Sequence, residues 1–347
     1  MPTPSGPRDA DAALETLFHP FDTGALAWPR TGGALFLRAR DGWPLHARPL
    51  PGLVCEQTFK PAFDALTRSG LQVRGDEADG MYPLVLVLPP RQRDEARALF
   101  ARAVQHAGAE GIVVACMPNE EGAKTGQSDL ARIAGPVRVL SKQHCRVFWT
   151  GTRQDGDATL IDEWRELDAP RLVADGRFAS RPGLFAWDRI DPASALLARH
   201  LPAELSGDGA DLGAGTGYLA LEVLAQGSGV RSLDLFEAES RALELARRNL
   251  ASHPHVGFHW HDVTQGLPRA YDFIVTNPPF HAHGRADRPD IGRRFIAAAA
   301  DALRPRGRLY LVANRHLPYE SVLDARFDKV RTLAQAGGFK VVEAVRA

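Results

Sequence analysis

The chain has 347 residues, more than one hydrophobic core usually serves, so two domains are expected. A 44% hydrophobic and 24% charged composition is that of a soluble globular protein, and no run approaches the ~20 apolar residues of a membrane span. Basic and acidic residues balance at 42 each, which excludes a global field drawing the protein to nucleic acid but leaves room for a local basic patch.

Residues 1–10, rich in proline and small polar residues, read as a disordered tail without the basic and apolar character of a signal peptide. From residue 35 to 149, short β-type runs alternate with helical ones. Residues 84–88 (LVLVL) are a buried strand ended by Pro89-Pro90, residues 91–107 follow at helical spacing, and residues 111–116 (GIVVAC) form the next strand. This alternation predicts a parallel α/β sheet. Cys55, Cys116 and Cys145 lack metal-ligand or redox spacing and suit reduced thiols in a cytoplasm. Residues 150–180 are polar and read as a connection carrying a short hairpin at 159–167.

A second α/β series then begins. Strands are expected at 209–212, 231–237, 255–261, 271–276 and 308–313, with helices at 218–225, 240–250 and 291–303. Residues 339–344 form a closing strand that can run antiparallel. Three landmarks recur between the halves in the same order: LVLVLPP (84–90) with FIVTNPP (273–279), GIVVACMPN (111–119) with GRLYLVAN (307–314), and VRVLSKQHCRVF (137–148) with VRTLAQAGGFKVV (330–342). They predict a duplicated fold, with domains at 11–170 and 171–347.

The segment Asp211-Leu-Gly-Ala-Gly-Thr-Gly217 turns from strand to helix through Gly213, Gly215 and Gly217, which lets a ligand approach the backbone. Its G-x-G-x-G spacing is not that of a dinucleotide-binding turn. About twenty residues on, Glu237 ends a strand and can accept from both hydroxyls of a ribose; a helix cap is the plainer reading. Asp262, with Val263 beside it, can accept from an adenine amine, and equally fits an exposed loop aspartate.

Asn277-Pro278-Pro279-Phe280 follows the strand YDFIVT. An exocyclic amine on a base is a poor nucleophile, because its lone pair is delocalised into the ring. The Asn277 side-chain oxygen and the Pro278 carbonyl, aimed at its two hydrogens, would favour a pyramidal nitrogen with a localised lone pair. Paired prolines fix that backbone in advance. Pro279, Phe280 and His281 would meet the flipped base, with Phe280 stacking on it. The plain alternative for NPPF is a strand-ending turn.

DLGAGTGYLA, FEAESRALELARRN and FIVTNPPFH resemble the motifs of class I S-adenosylmethionine-dependent methyltransferases acting on amines. VANRHLPYESVL (312–323) and the run after it resemble the bacterial ribosomal RNA guanine-N2 methyltransferases of the RsmC/RlmG type, as do NEEGAKTGQS (119–128) and PGLFAWDRI (182–190). The resemblance covers nearly the whole chain. It implies two tandem Rossmann-like methyltransferase folds with doubly wound, mostly parallel sheets, the first a degenerate copy. It implies S-adenosyl-L-methionine held by Asp211, Gly213, Gly215, Gly217, Glu237, Asp262, Val263 and Asn277, and Asn277, Pro278 and Phe280 acting on a guanine N2 in ribosomal RNA, the small subunit favoured. Adenine-N6 or protein-glutamine methylation, or a non-catalytic RNA-binding assembly protein, are the competing readings. AWDRID (186–191) departs from the serine- and glycine-bearing pattern of the family, which leaves the residues at the donor's methionine end open.

The first half has no G-x-G-x-G turn, and its Pro89-Pro90 lacks the asparagine and the aromatic, so it is expected to bind no cofactor and to serve in RNA docking or support. Six histidines between His253 and His283 lack paired Cys or acidic ligands, so no metal is expected. Arg285, Arg288, Arg293, Arg294, Arg304, Arg306 and Arg308 are candidate phosphate contacts, with Lys142, His144 and Arg146 a weaker set. Trp149, Trp164 and Trp187 read as core or interface residues. A monomeric cytoplasmic protein without membrane contact is the expectation.

Overall fold

The structure, a computed structural model, describes residues 11–151, 157–279 and 289–347; the tail 1–10 lies outside them. Two compact units divide the chain, Met1–Ala169 and Pro170–Ala347.

The first unit contains α1 (Ala12–Asp22), β1 (Ala34–Leu37), β2 (Leu53–Glu56), α2 (Lys60–Arg68), β3 (Gln72–Arg74), β4 (Leu84–Val87), α3 (Arg93–Ala107), β5 (Ile112–Pro118), α4 (Ala123–Ala134), β6 (Val137–Lys142), β7 (Cys145–Thr150) and α5 (Ala158–Arg165). Its sheet has the order β3-β2-β1-β4-β5-β7-β6, with β7 antiparallel to both neighbours and the rest parallel. ALFL and LVLV, the sequences of β1 and β4, are apolar at every position because helices cover both faces of the sheet. Leu35, Val85 and Phe100 pack on one face, Phe18, Phe36 and Leu86 on the other. Trp149 and Trp164 are both core residues.

The second unit begins with a hairpin, β8 (Arg171–Val173) and β9 (Phe178–Ser180), followed by α6 (Pro192–Ala198). Then come β10 (Ser206–Leu212), α7 (Tyr218–Gln226), β11 (Gly229–Glu237), α8 (Ser240–Asn249), β12 (Val256–Trp260) and β13 (Tyr271–Thr276). The unit ends with α9 (Pro289–Ala302), β14 (Leu303–Asn314), α10 (Glu320–Arg326), β15 (Lys329–Ala336) and β16 (Phe339–Val345). Its sheet order, β12-β11-β10-β13-β14-β16-β15, is that of the first unit strand for strand, and β16 is likewise the antiparallel insert. The three repeated landmarks fall on β4 and β13, β5 and β14, and the β6–β7 and β15–β16 hairpins. The fold is a duplicated doubly wound α/β sheet.

One expectation is corrected. Residues 159–167 are not a hairpin: Asp157 accepts from the Leu160 amide at 3.0 Å, and Ile161 and Trp164, three apart, bury one side of the helix α5. The hairpin of this region is β8–β9, turned through Ala174, Asp175 and Gly176, all left-handed.

Candidate active site

The carboxyl ends of β10, β11 and β13 meet at one edge of the second sheet, where ligands of open α/β folds gather. Beyond β10 the chain reverses: the Gly213 and Ala214 amides both donate to the Phe236 carbonyl, at 2.8 and 3.1 Å. Gly215 holds φ 56°, and a Cβ there would meet nothing within 4 Å, so the turn leaves its surface free for a ligand. Gly217 serves packing instead: a Cβ on it would lie 2.8 Å from Leu250 Cδ1 and 3.4 Å from Ala246 Cβ. This glycine lets the turn lie close against α8 and the residue that follows it.

Glu237 supports the turn from the end of β11. Its Oε2 accepts from the Gly215 amide at 2.7 Å and its Oε1 from the Glu239 amide at 2.8 Å. The cap of α8 is Glu239. Burial raises the Glu237 pKa, while the amides of Glu239 and Gly215 pull it down. Asp211 sits beneath the turn, fully buried, and neither carboxyl oxygen has a hydrogen-bond partner of good geometry. Burial, then repulsion from Glu237, pushes its pKa up to about 8, against a small opposing effect of the Ala220 amide.

The folded protein therefore holds Asp211 protonated where an unfolded chain, with a carboxyl pKa of about 3.9, does not. The contribution of Asp211 to stability falls as pH rises from about 4 to about 8 and levels above that. Asp211→Asn abolishes this term, so its melting temperature should gain on the parent's across that window and then keep pace. A gap that stays constant with pH would mean that Asp211 is ionised in the folded protein.

Asp262 caps the short 3₁₀ turn Val263–Gln265, accepting from the Thr264 amide at 2.9 Å and its hydroxyl at 2.7 Å, and Val263 is buried behind it. At the end of β13, the Thr276 hydroxyl donates to the Leu212 carbonyl at 2.8 Å and ties this strand to β10. Asn277 follows. Its Nδ2 donates both hydrogens, to Asp191 Oδ2 at 3.0 Å and Ser194 Oγ at 2.9 Å. Pro278 is buried and Pro279 exposed; Phe280, His281, His283, Arg285 and Arg288 lie outside the described residues.

Phe178, Asp191, Ser194, Gly213, Gly215 and Asn277 are among the residues around one cleft, open to solvent. Asn277 and the glycine turn thus share a cleft, with Glu237 and Asp211 behind the turn, while Asp262 and Val263 are not among its lining residues.

Three residues at the site escape the sequence reading. Asp191 and Ser194 carry a visible signal, since Asp-Pro opens a helix and Asp191 caps α6 through the Ser194 amide at 2.8 Å. Their contact with Asn277 carries none. Asn249, near the end of α8, donates to the Thr216 carbonyl at 2.8 Å and exchanges two bonds with Ala179, joining the glycine turn to β9.

The arginines divide. Arg304 is held by Asp208 and Asp272, at 3.1 and 2.7 Å, and Arg308 by Glu343 at 2.7 Å. Arg304 lies at the start of β14, beside Tyr271, at the opposite edge of the sheet from Asn277. Both are thus engaged in ion pairs within the unit. Arg294 on α9 and Arg315 just past β14 are exposed. His259 stacks on Phe236 with ring centroids 4.6 Å apart, and His261 Nε2 lies 2.6 Å from the Gly266 carbonyl. Among the described residues, no three His, Cys, Asp or Glu side chains cluster as metal ligands.

The first unit keeps the backbone of this site without its groups. Leu37 lies opposite Val87 as Leu212 lies opposite Thr276, which sets Arg38 at the place of Gly213 and Leu88 at that of Asn277. Arg38 holds φ 55°, and Ala39 N donates to Glu56 O at 3.0 Å, as Ala214 does to Phe236. Gln57 stands in Glu237's place and accepts from the amide two residues on, Phe59, at 2.9 Å.

The methyltransferase small domain model matches residues 175–343. Ribosomal RNA small subunit methyltransferase C of Psychromonas ingrahamii is 27% identical over 286 residues, 81% of each chain. The protein of that name from Pseudomonas paraeruginosa is 29% identical over 311 residues, 88% of this chain and 89% of its own. Among solved structures, the T. thermophilus 16S rRNA N2 methyltransferase RsmC, in complex with AdoMet and guanosine, superposes with a TM-score of 0.79 at 26% identity, covering 96% of this chain and 92% of that one. With a glycine turn, a strand-end carboxylate and an Asn-Pro-Pro segment brought together on the second of two like sheets, the chain belongs to the bacterial ribosomal RNA guanine-N2 methyltransferase family, within the class I S-adenosylmethionine-dependent methyltransferases.

Proposed function

We propose that residues 171–347 transfer a methyl group from S-adenosyl-L-methionine to the exocyclic N2 amine of a guanine in small-subunit ribosomal RNA. The observation that carries this reading is the Asn277 amide: Asp191 and Ser194 take up both its hydrogens, so its oxygen is the atom left to accept from a ligand of the cleft that all three line with the glycine turn. Relatives named for small-subunit RNA, and a like structure holding AdoMet and guanosine, support the substrate and the donor.

The residues present fit such a donor. Gly215 offers an open backbone surface, and Glu237 is a carboxylate with lone pairs to spare for ribose hydroxyls. Once bound, S-adenosylmethionine supplies a methyl group on a sulfonium, a leaving group already activated. The chain's own work is positioning and electrostatics. Asn277 Oδ1 and the Pro278 carbonyl accept from the amine hydrogens and localise its lone pair, with Phe280 and His281 placed by sequence to meet the base. Exposed Arg294 and Arg315 are the candidates for the RNA backbone.

The first unit, residues 11–170 in this reading, binds no donor and serves RNA docking or support. Arg38, Gln57 and Leu88 at the places of Gly213, Glu237 and Asn277 favour this. Calorimetry on the full chain should accordingly give one donor per chain; two would restore a site to the first unit. We place the protein in the cytoplasm as a monomer; among the described residues no helix is long and apolar enough to cross a membrane.

The function is tested with radiolabelled donor offered to unmodified small subunits, large subunits and naked RNA, followed by nuclease digestion. Label in N2-methylguanosine from small subunits is the expected result. Label in methyladenosine would keep the chemistry and change the base, and unlabelled RNA with intact donor binding would turn the search to a protein substrate or a binding role.

A further inference from the structure

Asn277 must present oxygen, not nitrogen, to an incoming amine, and an amide side chain is nearly the same shape both ways round. What decides is what its nitrogen faces. Asp191 and Ser194, 86 and 83 residues earlier, stand there at hydrogen-bond distance of Nδ2.

A carboxylate can only accept. Facing Asp191, the amide has to turn its nitrogen toward the carboxylate, since the reversed amide would set carbonyl oxygen against carboxylate oxygen. The Ser194 hydroxyl takes the second hydrogen, so the amide plane as well as its direction is fixed. Asp191 and Ser194 are themselves held by α6, with Pro192 in its first turn and the Ser194 amide on Asp191 Oδ2. The strand that carries Asn277 is pinned by Thr276 to Leu212. An N-cap alone does not require a carboxylate, because asparagine caps a helix about as well as aspartate. The contact to Asn277 is what the cap leaves unexplained.

We propose that Asp191 and Ser194 are positioning residues for amine methylation, locking the Asn277 amide in the orientation that turns its oxygen toward the substrate amine. The inference rests on the reading of Asn277 given above. In the step it serves, the amine lone pair forms the new N–C bond while the C–S bond breaks with its electron pair left on sulfur, and one amine proton passes to water. Asp191 and Ser194 touch none of the reacting atoms.

Asp191→Gly is the test, because glycine is tolerated at a helix N-cap almost as well as aspartate but offers Asn277 Nδ2 no acceptor, whereas asparagine would keep one oxygen on both the Ser194 amide and Nδ2. Methyl transfer to unmodified small subunits, donor affinity by calorimetry and melting temperature are measured on the full chain. The expected result is a fall in kcat of about 10- to 100-fold with donor Kd within about twofold and an unchanged melting temperature. In an Asn277→Ala background, the same change should produce no further loss. Wild-type kcat in Asp191→Gly, beside an impaired Asn277→Ala, overturns the positioning role and leaves the reading of Asn277 standing. Donor affinity falling as far as kcat would overturn it too, making Asp191 part of the donor site. Full turnover in Asn277→Ala would overturn both. Ser194→Ala, which keeps the backbone amide of the cap, provides the second variant: about a 3- to 10-fold loss of kcat is expected, and none would count against the proposal.

Discussion

Replacing Asn277 with alanine is expected to lower kcat by about 100- to 1000-fold while leaving donor affinity within about twofold. The argument is one of timing. The amine gains its localised lone pair only as it approaches the transition state, so an acceptor for its hydrogens is worth more there than in the ground state. Losing a preorganised polar group of this kind costs about 3 to 4 kcal/mol in catalysis. Asn277 in this structure is preorganised by Asp191, Ser194 and the Thr276 tether, so little reorganisation remains for the substrate to drive. Single-turnover rates with saturating donor, beside calorimetry, check the split. Parallel loss of affinity and rate would make Asn277 a donor-binding residue instead.

The second large effect is expected on the donor side. Glu237→Gln should weaken donor binding by about 30- to 100-fold with the fold intact. A hydrogen bond to a charged group contributes about 1.5 to 3 kcal/mol, and glutamine keeps at most one of two acceptors for a ribose. The first unit shows that the fold tolerates glutamine here, since Gln57 makes the same bond to the amide two residues on. There the Gln57 nitrogen donates to the Ala39 carbonyl at 2.6 Å, whereas in the second unit Glu237 receives the Gly215 amide. An NH2 group facing that amide would loosen the turn as well as lose the ribose. Removing a carboxylate whose pKa burial raises offsets the lost bonds in stability. Titration of the variant with donor settles it: unchanged affinity would take Glu237 out of the site.

Much of this was legible in the residues, and the limits follow from distance along the chain. LVLVL and YDFIVT announce buried strands because helices cover both faces of the sheet, and of these positions Asp272 alone stays partly exposed. DLGAGTG and NPP declare their turns because glycine and proline act on their own backbone. The reading failed where local pattern is ambiguous: residues 159–167 are too short for period alone to separate hairpin from helix, and the cap from Asp157 decided for helix. KVRTLAQA, the β15 sequence, was not singled out as a strand, since it is largely exposed at the sheet edge and shows no apolar run. The ancestral counterpart of the glycine turn, FLRARDG (36–42), is hidden because its side chains have changed while Arg38 keeps the left-handed backbone. Arg304 and Arg308 look like free cations until Asp208 and Glu343, distant in sequence, take them up. The Asp191 contact with Asn277 spans 86 residues and leaves no mark on either segment.

The placement of β16 also sets an order in time. β15 has β16 as its single neighbour in the sheet, and β16 is the strand that joins it to β14. A growing chain that has released β15 therefore still has nothing to pair it with. Only when residues 339–345 emerge can both strands enter, so the sheet behind Asn277 closes in one late event rather than strand by strand. The first unit carries the same insert, with β7 between β5 and β6, and so each half of the molecule waits on its final strand.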